Sequence, residues 1–126
     1  MPTRPAVPMN LLQGMAAMEG YYVDDSRPNR NLNPGDIEWG DFAASHGASG
    51  IEAQVPHRFA WFATEAEGFA CMKALLQTTY ANLTLAQAFA KWAPAPENNV
   101  EQYTASVCQL TGLSPDMLVS DALKNC

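Results

Sequence analysis

Residues 23–50 are dominated by Gly, Asn, Asp, Ser and Pro, the residues of turns and loops. This stretch separates one apolar helical segment from a second half that reads as helices. The chain therefore has to fold around a long irregular segment near its start. Within and after it, Asp36–Trp39 reads as a short strand and Phe59-Ala60-Trp61-Phe62 as a more convincing one. Together they predict a small antiparallel ribbon, which is weak alone and has to lean on helices.

The helices announce their ends. Leu11, Leu12, Met15 and Met18 recur at helical spacing, which predicts a first helix from Met9 or Asn10 to about Tyr21, with Gly20 helping to stop it. Thr64-Glu65-Ala66-Glu67 is a capping box opening a helix to about Tyr80, with Phe69, Met72, Leu75, Leu76 and Tyr80 on its core face. Thr84-Leu85-Ala86-Gln87 opens another, which has to stop before Pro94. Asn99 caps a helix whose apolar stripe is Val100, Tyr103, Val107 and Leu110, with Gly112 as its stop. Ser114-Pro115 predicts the start of a short terminal helix, Pro being suited to the first helical position. No internal repeat is visible. The expected architecture is an α+β, mostly α domain over residues 9–126, with residues 1–8, carrying Pro2, Pro5 and Pro8, as a loose N-terminal arm.

With 126 residues, nearly half of them hydrophobic, one packed core is within reach. No apolar run approaches the roughly 20 residues of a membrane span, so no membrane insertion is expected. The first residues lack the apolar segment of a secretory signal, so work outside the cytoplasm would require another route of export. Thirteen acidic against seven basic residues give a net charge of −6. That argues against nucleic acid, whose phosphates call for clustered Lys and Arg, and suits a basic protein partner. The three cysteines, Cys71, Cys108 and Cys126, match no zinc spacing. Cys71 reads as a core thiol, and Cys108 with Cys126 as either a disulfide or free thiols. His46 and His57 have no neighbouring ligand pattern, so neither a metal nor another cofactor is expected.

The residue with the most chemical promise is Glu19, at the edge of the apolar face of the first helix. A carboxyl held against apolar surface tends to keep its proton near neutral pH. An acid of this kind, facing further carboxylates, is the minimal equipment for breaking a glycosidic bond. The second group would come from Asp24, Asp25, Asp36 or Glu38. In an extended segment Asp36 and Glu38 point the same way, although Asp36 also fits the Pro34-Gly35-Asp36 turn. Asn31 and Asn33 could hydrogen-bond sugar hydroxyls or satisfy the loop backbone, the latter being the better fit for Asn33. Trp39, Trp61 and Trp92 are either sugar-stacking platforms or core residues. A Cys71–histidine nucleophile pair is a weaker arrangement, because no motif surrounds Cys71 and a mid-helix position suits it poorly.

Taken in order, Glu19-Gly20, then Arg30-Asn31-Leu32-Asn33-Pro34-Gly35-Asp36-Ile37-Glu38-Trp39-Gly40, Phe59-Ala60-Trp61-Phe62, Gly68, Trp92-Ala93-Pro94, Glu97-Asn98-Asn99 and Tyr103 resemble a lysozyme-like family of phage and bacterial effectors. That family includes peptidoglycan glycoside hydrolase toxins of type VI secretion. The resemblance runs from about residue 9 to about residue 118. It implies a lysozyme-like fold and cleavage of β-1,4 bonds in peptidoglycan glycan strands, with Glu19 as general acid and Glu38 or Asp36 as the second catalytic group. It also implies that the asparagine-rich segment with Asn31, Asn33 and Trp39 lines the cleft. Pro96-Glu97-Asn98-Asn99 and Tyr103 would close the cleft or contact sugar. The family often reads Asn-Pro-Gly-Asn where this chain has Asp36, and related lytic transglycosylases use a single glutamate to form an anhydro product. The implied setting is secretion without a signal peptide, action in the periplasm of a target bacterium, and a cognate immunity protein in the producing cell. The rival expectations are a non-catalytic, wall-binding component of a phage particle and, more weakly, a cysteine-dependent amidase.

Overall fold

The computed structural model describes residues 8–94 and 98–126. The arm expected at 1–8 lies, apart from Pro8, outside the described residues, as do Pro96 and Glu97. The fold is α+β and mostly helical. Helix α1 is Leu11–Glu19, α2 is Arg27–Arg30 and α3 is Asp41–Ser45. Strands β1, Gly50–Ile51, and β2, Ala60–Trp61, pair antiparallel, Gly50 opposite Trp61 and Ile51 opposite Ala60. Helix α4 is Glu65–Leu75, running into a π-helical turn over Leu76–Tyr80; α5 is Leu85–Trp92, α6 is Val100–Thr111 and α7 is Val119–Ala122.

Local chemistry accounts for most boundaries. Asn10 and Gln13 form a reciprocal capping box at the start of α1, and Gly20, at φ +85°, ends it in the left-handed conformation glycine adopts without penalty. Thr84 and Gln87 do the same for α5, and Asn99 caps α6 through the Gln102 N–H. Leu11, Met15 and Ala16 of α1 are fully buried, and α1 packs chiefly on α6. Each such Leu or Met contributes about 1.5–3 kcal/mol of apolar burial. Phe62, Cys71, Met72, Leu76, Leu85, Phe89, Val107 and Val119 complete the core beneath both helices.

Two sequence expectations are corrected. The ribbon partner of β2 is Gly50–Ile51; Glu38 makes one isolated bridge, to Phe59, with Ala60 N–H donating to the Ile37 carbonyl. The terminal helix begins at Val119 and not at Pro115. The Pro115 and Met117 carbonyls instead accept from the Ala86 and Leu85 N–H groups, so this segment satisfies the first turn of α5 and cannot itself be helical. The three cysteines are free thiols. Cys71 is fully buried, and that burial pushes its thiol up to about 11.

Candidate active site

A cleft of about 690 Å³ opens between the end of α1, the loop at 35–38, the Arg58–Phe59 approach to β2 and the ends of α4 and α5. Glu19, Asp36 and Glu38 all line it, with Arg27, Arg58, Tyr80, Trp92 and Asn98. Three of the five carboxylates singled out in the sequence thus meet in one place. Asp24 and Asp25 are exposed and lie away from it.

Glu19 is the last residue of α1, and Gly20 turns the chain away immediately after it. Its Oε2 accepts a hydrogen bond from the Tyr103 hydroxyl at 2.8 Å. Burial pushes its carboxyl above the ordinary carboxylate range; the Tyr103 hydrogen bond works against the rise, the Asp36 charge adds to it, and Trp92 and Arg27 also oppose it. The net direction is upward, which favours the protonated form.

Asp36 sits in the turn, at φ +48°, a left-handed conformation that Asp tolerates better than most residues. Its side chain is only 10% exposed and is ion-paired with Arg27. Arg27 Nε donates to Oδ1 at 3.0 Å while Nη2 holds Oδ2, the bidentate geometry that makes such pairs strong. The same guanidinium lies 3.7 Å from the centroid of the Phe59 ring. Glu38 is paired with Arg58 at the rim, where both side chains are more than half exposed.

Asn33 is fully buried and does not face the cleft. Its Nδ2 donates to the Ile37 and Ala60 carbonyls, and its Oδ1 accepts from Ile37 N–H, each at 2.9 Å. It ties the 33–37 turn to β2, with both amide donors used and the side chain shut off from the cleft. Asn31 is buried as well, its side-chain amide donating to Glu52 Oε1 at 3.2 Å and its backbone carbonyl accepting from Phe62 N–H. Both asparagines therefore shape the cleft from behind. Trp39 is 38% exposed and is not among the residues lining the cleft. Tyr103 is 4% exposed and, among the described residues, reaches the site only through Glu19, which corrects its expected role as a sugar contact. Asn98 does line the cleft.

Two contributors went unnoticed in the sequence. Arg27 is one; its only signal was a basic residue nine positions before Asp36 in an acidic chain, with Arg30 beside it as an equal candidate. Glu52 is the other. It is 1% exposed, and its Oε2 accepts from the Arg58 and Phe59 N–H groups at 3.1 and 2.9 Å. Burial raises its carboxyl, but the two backbone N–H groups, Asn31 and the Arg27 charge more than offset this and hold it below the ordinary range. Glu52 thereby fixes the segment that presents Arg58 and Phe59 to the cleft.

Among the described residues no group of three or more His, Cys, Asp or Glu is placed to hold a metal, and no helix is long and apolar enough to cross a membrane. What the cleft offers chemically is one carboxyl biased toward its acid form beside an Arg-paired aspartate. No protein-family model, curated protein or solved structure matches this chain.

Proposed function

We propose that this chain is a lysozyme-like peptidoglycan glycoside hydrolase in which Glu19 is the general acid for cleavage of β-1,4 glycan bonds. The observation that carries this reading is the position of Glu19. Its carboxyl is half-buried, pushed up by that burial, and still lines a cleft shared with two further carboxylates. A neutral carboxyl donates a proton to the leaving oxygen while a nearby anion stabilises the cationic transition state. Asp36 suits the second role better than Glu38, because its charge acts on Glu19 and its side chain is nearly buried. Tyr80 and Trp92, with ring centroids 5.7 Å apart, supply aromatic surface along the cleft. In this reading, which takes its setting from the sequence resemblance, the chain is an antibacterial type VI secretion effector. It works in the periplasm of a target bacterium and is restrained in its producer by an immunity protein that covers the cleft.

One observation favours a variant of the chemistry. Both Asp36 oxygens are held by Arg27, so Asp36 is poorly placed to activate a water. Glu19 would then serve as acid and base in turn, and a hydroxyl of the sugar itself would close on the cation to give an anhydro product.

Mass spectrometry of the soluble products from purified sacculi tests both. Wild type is expected to release cut glycans, and Glu19→Gln at least about 100-fold less, the usual worth of a general acid. Glu19→Gln should keep its Tm, because it removes a carboxyl whose ionisation burial opposes. A reducing-end product indicates hydrolysis and an anhydro mass the single-carboxyl route. Saturable sacculus binding by wild type without glycan products at any pH would replace this reading with the non-catalytic, wall-binding one.

A further inference from the structure

We propose that Tyr103 is a positioning residue that decides which oxygen of Glu19 carries the transferable proton, an inference that rests on Glu19 being the acid. A phenol has one proton to give, and Glu19 Oε2 is the one hydrogen-bond partner of the Tyr103 hydroxyl among the described residues, at 2.8 Å. Tyr103 is 4% exposed and its ring packs against Phe89 with centroids 5.1 Å apart, which holds the hydroxyl toward Glu19. Reversing the bond, with Glu19 donating to the phenol, would leave the phenolic proton buried and unpaired. Because the carbonyl-type oxygen of a neutral carboxyl is the better acceptor, the contact biases the proton of the acid form toward Oε1. The contact also ties the end of α1 to α6, which holds the plane of the carboxyl. Burial and the neighbouring carboxylate drive the Tyr103 hydroxyl far above its ordinary value, and it remains a donor throughout any working pH. Among the described residues, the other groups facing Glu19 are Trp92 at the end of α5, and Asp36 and Arg27 from the segment after α1.

Tyr103→Phe removes only the hydroxyl. The expected result is a roughly tenfold lower kcat with KM within about twofold. The alkaline limb of the kcat/KM profile should move up by about one pH unit, because the lost bond had favoured the carboxylate. A lower Tm with the limb unmoved would assign Tyr103 to packing alone and overturn the proposal. A second readout does not need activity. The carboxyl carbon of Glu19, assigned by its loss in Glu19→Gln, is titrated by 13C NMR, and its midpoint should rise by about one unit in Tyr103→Phe. An unmoved midpoint fails the positioning role, whereas a wild type that releases no glycan fails the enzymatic reading. If Tyr103→Phe does not fold, the wild-type hydroxyl proton serves instead. It should exchange slowly, resonate downfield and shift in Glu19→Ala; its absence would overturn the contact.

Discussion

At the scale of single residues, the division of labour among carboxylates follows from what surrounds each one. Glu19 is raised and Glu52 lowered, although burial pushes both upward. The difference is that Glu52 accepts two backbone N–H groups and the Asn31 amide, whereas Glu19 has a phenol and an opposing aspartate. The folded value of Glu52 lies below its unfolded value near about 4.3. Its contribution to stability is therefore present above that pH and is lost as pH falls through the folded value. Glu52→Gln should be less stable than wild type at pH 7, with a gap that narrows toward acid pH. Urea midpoints across pH 3–7 check this, and a gap of constant size would be against it. Glu19 was legible in the sequence because its apolar neighbours lie on its own helix. Glu52 was not, because its donors arrive from Arg58 and Phe59 across the ribbon and leave no local pattern. Asn33 builds the loop, as its place in the turn favoured, but Asn31 stayed open between two roles for a related reason. An amide that builds a loop and one that binds a sugar look alike until their partners are known.

At the scale of elements, the ends of helices were the readable part. Thr64, Thr84 and Asn99 all cap where the sequence placed them, since capping is settled within four residues, and Asn10 caps a helix expected to start at Met9 or Asn10. The Ser114–Leu118 segment was misread because its carbonyls are drawn to α5, a tertiary demand that overrides the local preference of Pro115 for a helix start. The most demanding contact is made by Gly68 in α4. A methyl group there would come within 2.1 Å of the Leu32 carbonyl oxygen and 2.9 Å of Pro34 Cδ, so the helix lies directly on the loop that leads to Asp36. Gly68→Ala should cost about 1–3 kcal/mol or more and lower the Tm by about 5 °C or more. Gly40→Ala, at an extended position with nothing within 4 Å, is the control. Equal melting of the two variants by calorimetry would show that α4 can move off the loop at no cost.

At the scale of the whole molecule, the cleft gathers contributions from α1, the 27–38 segment, the ribbon, and the ends of α4 and α5, with Tyr103 of α6 behind Glu19. No stretch of sequence contains it, so local spacing marked its individual carboxylates while their meeting in one cleft was an expectation of the resemblance alone. The π-helical turn at Leu76–Tyr80 is part of that assembly. Tyr80, its last residue, lines the cleft, and such turns are frequent at functional sites. Trp92 stands against Tyr80 and Gly35 and acts on Glu19, while Trp39 and Trp61 are about 40% exposed elsewhere. An indole placed this way is a built-in optical gauge. In a Trp39→Phe/Trp61→Phe background its emission should follow the charge of Glu19, falling silent to pH in Glu19→Gln, and the site's proton could be read by light with no substrate in hand.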